Sequence, residues 1–175
     1  VAVASLAAVV GYGLVRMTTA PSAAGDTIRV ALIQSSAETV FEYDPQRNRE
    51  IFHDYRELSL QAARRRPDLD LILWPESVYT ANVRELLVES DAKPPAMLQM
   101  KPREFERAVE QWRLAFEAKN ALLAEEINAA AGNRPQQRGR ISLLVGTDVE
   151  RIREEATDLY NTAMLLNPQG RVVGR

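Results

Sequence analysis

The chain has 175 residues, 26% charged and 46% apolar, with a formal net charge of −2 at pH 7. That length is enough for one domain with a core, and the near-neutral balance leaves no electrostatic footprint for a nucleic-acid partner. There is no cysteine and a single histidine, His53. This excludes disulfides, thiolate or multi-histidine metal sites and a cysteine nucleophile within these residues.

The segment Val1 to Val15 is almost wholly apolar and small, and Arg16 ends it. As a helix it spans roughly 22 Å, short of a hydrocarbon core of about 30 Å. The chain opens on Val1 and stops at Arg175 just after a turn, so both ends look cut and a longer polypeptide is expected. Upstream residues would complete a transmembrane helix, and Ser5, Gly11 and Gly13 suit close helix packing there. A signal segment with small residues near Ala20 to Ala24, and a buried core helix, are the other two readings. The expected division is 1–17 as the end of a transmembrane helix, 18–26 as a linker rich in small residues, and 27–175 as a globular unit.

Ile28 to Ile33 reads as a first strand. Pro45 to Arg66 reads as a helix with Ile51, Tyr55, Leu58 and Ala62 on its inner face. Arg64 to Arg66 make a solvated helix end, where cations complement the dipole, and Pro67 stops the helix. Leu69 to Trp74 is a second strand, and strand, crossover helix and strand together favour parallel pairing. Tyr79 to Pro102 shows no clean period and reads as an irregular excursion, with Met97, Leu98 and Met100 as packing residues. Glu104 to Ala131 is a long helix with Phe105, Val109, Trp112, Phe116, Leu123 and Ile127 as a buried stripe, ended by Gly132. Ile141 to Thr147 is a third strand, Asp148 to Asp158 a polar hairpin-like excursion, and Leu159 to Leu166 a fourth strand. Asn167 to Gly170 is a β-turn into a fifth strand that begins at Arg171.

The chemistry concentrates at Leu71-Ile72-Leu73-Trp74-Pro75-Glu76-Ser77. An apolar run stops at a proline, and a carboxylate follows at the carboxyl end of a core strand, where open α/β sheets place their sites. Glu76 is either a general base or an acid that caps a tight turn. Ser77 adjoins it, but adjacent residues seldom form a relay. His53 lies within the first helix pattern and reads as a surface histidine. There is no G-x-S-x-G elbow and no glycine-rich phosphate loop after a strand.

Ile28 to Gln34, Leu71 to Glu76, Leu143 to Thr147 and Tyr160 to Arg175 (YNTAMLLNPQGRVVGR) follow one another in the order seen in a known family. In these motifs the chain resembles the nitrilase (carbon–nitrogen hydrolase) superfamily, closest to its membrane-embedded lipoprotein acyltransferase branch. The resemblance implies an α/β fold, an incomplete α-β-β-α sandwich preceded by a hydrophobic membrane helix. It implies a Glu-Lys-Cys site in which Glu76 is the general base, with the lysine and cysteine beyond Arg175. The implied reaction passes an acyl chain from a phospholipid donor, through a cysteine thioester, to the lipidated amino-terminal cysteine of an apolipoprotein acceptor. No cofactor and no metal are implied, and the implied place is the bacterial inner membrane with the catalytic domain facing outward. A secreted or soluble nitrilase-type amidase is the alternative, and a non-enzymatic α/β module with Glu76 as a capping acid is the third reading.

Overall fold

The computed structural model describes residues 2–19, 27–36, 44–76, 78–79, 84–95, 98–132, 139–154 and 156–175. Of the expected features, most of the linker, Ser77, Met97 and most of the loop after Gly132 lie outside the described residues.

The first element is α1, Ala2–Thr19. Its 18 residues span about 27 Å. No helix among the described residues is long and apolar enough to cross a membrane, so the expected spanning helix is not met by α1. The apolar run is too short, and Ser5, the glycines, Tyr12, Arg16 and the threonines dilute it. The core-helix reading also fails. Val3, Leu6, Val9, Leu14 and Met17 are exposed, and no α1 residue belongs to the buried core.

The remaining chain is a mixed α/β unit. The strands are β1 (Val30–Leu32), β2 (Leu71–Leu73), β3 (Glu85–Val88), β4 (Ser142–Ile152), β5 (Thr157–Leu166) and β6 (Val172–Gly174). The helices are α2 (Pro45–Arg65) and α3 (Pro102–Ala130). The sheet order is β1-β2-β4-β5-β6, with β3 also on β4. β1, β2 and β3 run parallel to their partners, while β5 and β6 are antiparallel. β4 is long enough to hold β2 on its first residues (Leu71↔Ser142) and β3 on its last (Glu85↔Val149).

Local sequence explains the helix ends. The Asp44 carboxylate accepts from the backbone N–H groups of Gln46 and Arg47 at 2.9 and 3.2 Å, and Pro45 has no N–H to leave unpaired. Gly132 takes a positive φ of 61° after α3, the left-handed stop that glycine favours. On α2, Tyr55, Ser59, Leu60 and Ala63 are buried, one step round from the predicted face; Ile51, Leu58 and Ala62 pack half-buried beside them. Arg64, Arg65 and Arg66 are exposed, as expected of a solvated end.

Two stretches differ from expectation. The excursion after Tyr79 contains β3. Its inward residue is a glutamate, Glu85, so no apolar alternation marks it. The polar stretch from Asp148 is a hairpin as expected, but a fully paired one: β4 continues to Ile152 and β5 begins at Thr157. Thr147 and Val149 are buried while Asp148 and Glu150 are half-buried, the period of two that a one-sided strand requires.

The alternation gives the sheet two unlike faces. Ala31, Ile72, Leu143 and Leu166 form one cross-strand row under α2 and α3. The next row, Leu32, Leu73, Leu144 and Leu165, points the other way. Leu32 is exposed and the other three are half-buried. On α3, Phe105, Phe116, Leu123 and Ile127 are buried as expected. Trp112 instead stands at the surface and donates its indole N–H to the Arg84 carbonyl at 2.7 Å. The buried polar residue Asn128 accepts from the Ile141 N–H at 2.8 Å and donates to the Ile141 carbonyl at 3.1 Å. Its side chain thus acts as a strand partner that latches α3 to the start of β4.

Candidate active site

Glu76 lies at the bend just past β2, and the residues on either side hold that bend in place. Before it, the Trp74 N–H donates to the Leu144 carbonyl at 2.9 Å; after it, the Tyr79 N–H donates to the Gly146 carbonyl at 3.1 Å. Both flanking aromatics are buried on the helix side. Trp74 packs edge-on against Phe52 at 5.5 Å and against Tyr79 at 5.6 Å between ring centroids. The polar edges of both aromatics are satisfied. The Trp74 indole donates to Ser59 Oγ at 2.8 Å, and the Tyr79 hydroxyl donates to Asn120 Oδ1 at 2.6 Å. Buried aromatics with paired polar atoms make rigid anchors. Burial pushes the Tyr79 phenol well above its ordinary range, so it stays a neutral donor.

The bend lies directly on β4. A Cβ at Gly146 would stand 2.5 Å from Glu76 Cα and 2.5 Å from the Pro75 carbonyl oxygen. Only glycine allows this approach, which is what a glycine inside a strand commonly marks. The Glu76 side chain is exposed on the face away from the helices. From β5, Asn161 donates through Nδ2 to Glu76 Oε1 at 2.8 Å. A cavity of about 390 Å³ opens here, lined by Leu73, Glu76, Leu144, Gly146, Asn161 and Ala163 among others.

The other sequence candidates do not join this site. His53 is exposed on α2, among the helices of the opposite face. Ser77 lies outside the described residues. None of the three lysines, Lys93, Lys101 and Lys119, lines the Glu76 cavity. Lys93 pairs with Glu154 at 2.6 Å and Lys101 begins α3. Lys119 is half-buried on the helix side, 4.1 Å from the Tyr79 ring centroid, and donates to the Tyr79 carbonyl at 3.1 Å. Burial lowers its pKa to about 7.

Three residues that shape the molecule were not singled out from sequence. Asn161 and Gly146 are the neighbours of Glu76. A glycine and an asparagine inside strands are both disfavoured there, and that was the available signal. The third is Glu85, a buried carboxylate bound by the Arg175 guanidinium, with Nε at 2.9 Å. That pair borders a cavity of about 820 Å³ between β3, α3 and the β5–β6 turn. This cavity does not include Glu76. Among the described residues no group of three histidine, aspartate or glutamate side chains is arranged to hold a metal.

No family model matches the chain. It is similar to the apolipoprotein N-acyltransferase of Rhodopirellula baltica, 30% identical over 125 residues. The match covers 71% of this chain and 21% of that protein, so the chain spans only about a fifth of the relative's length. The likeness supports a distant relation to that acyltransferase.

Proposed function

We propose that these residues form the part of an acyl-transferring domain that supplies its general base, Glu76. The whole enzyme would move an acyl chain from a phospholipid to the amino terminus of a lipoprotein's lipidated cysteine. What carries the reading is the carboxylate at the end of β2, beside a cavity, with its backbone tied to β4 and an oxygen bound by Asn161. The similarity to an apolipoprotein N-acyltransferase supports the choice of reaction. The chain has no cysteine, so the nucleophile comes from outside these residues, as does the lysine that steadies the oxyanion.

Glu76 takes the proton of that thiol, and the thiolate attacks the ester carbonyl of the phospholipid. Collapse of the tetrahedral intermediate breaks the ester C–O bond. Glu76 returns the proton to the departing alcohol oxygen, leaving a thioester. In the second half the acceptor amine attacks the thioester carbonyl. Glu76 removes a proton from the nitrogen and the sulfur leaves as thiolate, which is reprotonated for the next cycle.

The finer fold reading follows the same line. Residues 27–175 would be the N-terminal part of an α-β-β-α sandwich whose second sheet covers the open leucine row. An uncovered apolar sheet face of this kind marks an interaction surface. The apolar side chains of α1 suit an apolar surrounding, consistent with a site at the outer face of a bacterial inner membrane.

The test is Glu76→Gln in the complete polypeptide. The glutamine keeps an oxygen for Asn161 but cannot take a proton. Acyl transfer should fall by roughly 10²- to 10⁴-fold with the unfolding temperature unchanged. Near-normal turnover would reduce Glu76 to a turn residue. Amide hydrolysis without acyl transfer by the unaltered protein would favour a nitrilase-type amidase on the same base.

A further inference from the structure

We infer that Asn161 is the positioning residue that orients the Glu76 carboxylate, a role that rests on Glu76 being the base. Main-chain bonds fix where the Glu76 backbone sits, but they leave the side chain to rotate. A glutamate has several torsions, and exposed on a sheet face it would sample many of them. The Asn161 amide, 85 residues away in sequence, donates to Oε1 at 2.8 Å and holds the terminal carboxylate plane. Because the acceptor is ionised, such a bond is shorter and stronger than a neutral one.

The surroundings show why the residue is an amide. Asn161 lies directly opposite Asp148 in the antiparallel β4–β5 pair, on the same face, where paired Cβ atoms stand roughly 4.5–5.5 Å apart. Gly146 and Ala163, the neighbouring pair, carry little or no side chain, so the amide can reach across β4 to the bend. A neutral donor bridges the face between two acidic side chains, Asp148 and Glu76. A carboxylate in its place would repel both.

This distinguishes orientation from packing. Three substitutions in the complete polypeptide rank differently under the two roles. Asn161→Asp keeps the size and loses the donor while adding a charge. Asn161→Leu keeps a similar size and loses the donor without charge. Asn161→Gln keeps the donor on a longer arm. If Asn161 orients Glu76, kcat for acyl transfer falls in the order Gln, Leu, Asp. The Leu variant should lose roughly 10- to 100-fold with KM little changed. Adding Asn161→Leu to Glu76→Gln should cost nothing further, because its effect passes through that carboxylate.

An Asp variant as active as the Leu variant, or a full additional loss in the double variant, overturns the positioning role. A Leu variant with normal kcat does the same. In each case an inactive Glu76→Gln variant leaves the base itself standing. An active Glu76→Gln variant overturns the base and the positioning role together. Unfolding temperatures taken alongside separate loss of fold from loss of orientation. If the Leu variant unfolds early, the Gln-against-Asp comparison decides.

Discussion

Ile72 and Leu73 are neighbours in β2 and lie on opposite faces of the sheet. Ile72 is fully buried beneath α2 and α3, in a row with Leu143 and Leu166. Leu73 is half-buried on the other face, in a row with Leu32, Leu144 and Leu165, and it lines the Glu76 cavity. The same strands thus build a closed face that holds the unit together and an open face that presents a carboxylate. Anchoring side chains (Trp74, Tyr79) turn toward the helices, and the exposed Glu76 and Asn161 turn away. Rigidity on one face is what lets a side chain on the other keep its geometry.

The closed face should therefore respond most to truncation. Leu143 is inaccessible to solvent at the centre of that row. Leu143→Ala should cost roughly 2–5 kcal/mol, since close packing leaves little room to collapse around the cavity. Chemical denaturation of the variant against the parent measures it. A loss under about 1 kcal/mol would mean that this face is not the closed core.

The same contrast governs what was legible from sequence. β1, β2 and α3 announce themselves because their inward residues are apolar and regularly spaced. The strand that runs into Pro75 and Glu76 could be read with its parallel pairing and with Glu76 at its carboxyl end. β3 could not, because its inward residue is Glu85, and the Arg175 guanidinium that makes burial tolerable lies 90 residues away. Asn161 escaped for the same reason, since no local pattern records a bond across 85 residues. Gly146 was legible in principle, as a glycine interrupting an apolar strand. The apolar stretch of α1 was recognised as helical, but its length and dilution do not reach what a spanning helix requires.

Lys119 is the titratable weak point of the closed face. It lies among the rings of Phe52, Tyr79 and Phe116, and burial lowers its pKa to about 7 from an ordinary 10.5. Between those values the unfolded chain binds the proton more tightly than the folded one. Stability should therefore rise as pH climbs from about 7 toward 10.5, and the penalty is complete below 7. The aromatic faces attract the cation and oppose part of the cost of burying it. Lys119→Met keeps the stem's packing and should flatten this rise, gaining stability at pH 7. Thermal unfolding across that pH range tests it; an unchanged slope in the variant would remove Lys119 as its source.

The smallest effect is expected at Leu144, one residue from Leu143 and on the opposite face. In the 175-residue chain its side chain is half-buried, so Leu144→Ala should cost under about 1 kcal/mol, mostly lost contact with Leu73 and Leu165. In the complete polypeptide the sandwich reading places a second sheet over this row. There the same substitution would leave a cavity and should cost as much as Leu143→Ala, roughly 2–5 kcal/mol. Denaturation of both variants in both lengths of chain makes the comparison direct. Equal, small costs for Leu144→Ala in the two lengths would show that the leucine row stays open. Glu76 would then face solvent rather than the mouth of a closed interior, and a water-excluding acyl-transfer site on this face would lose its physical basis.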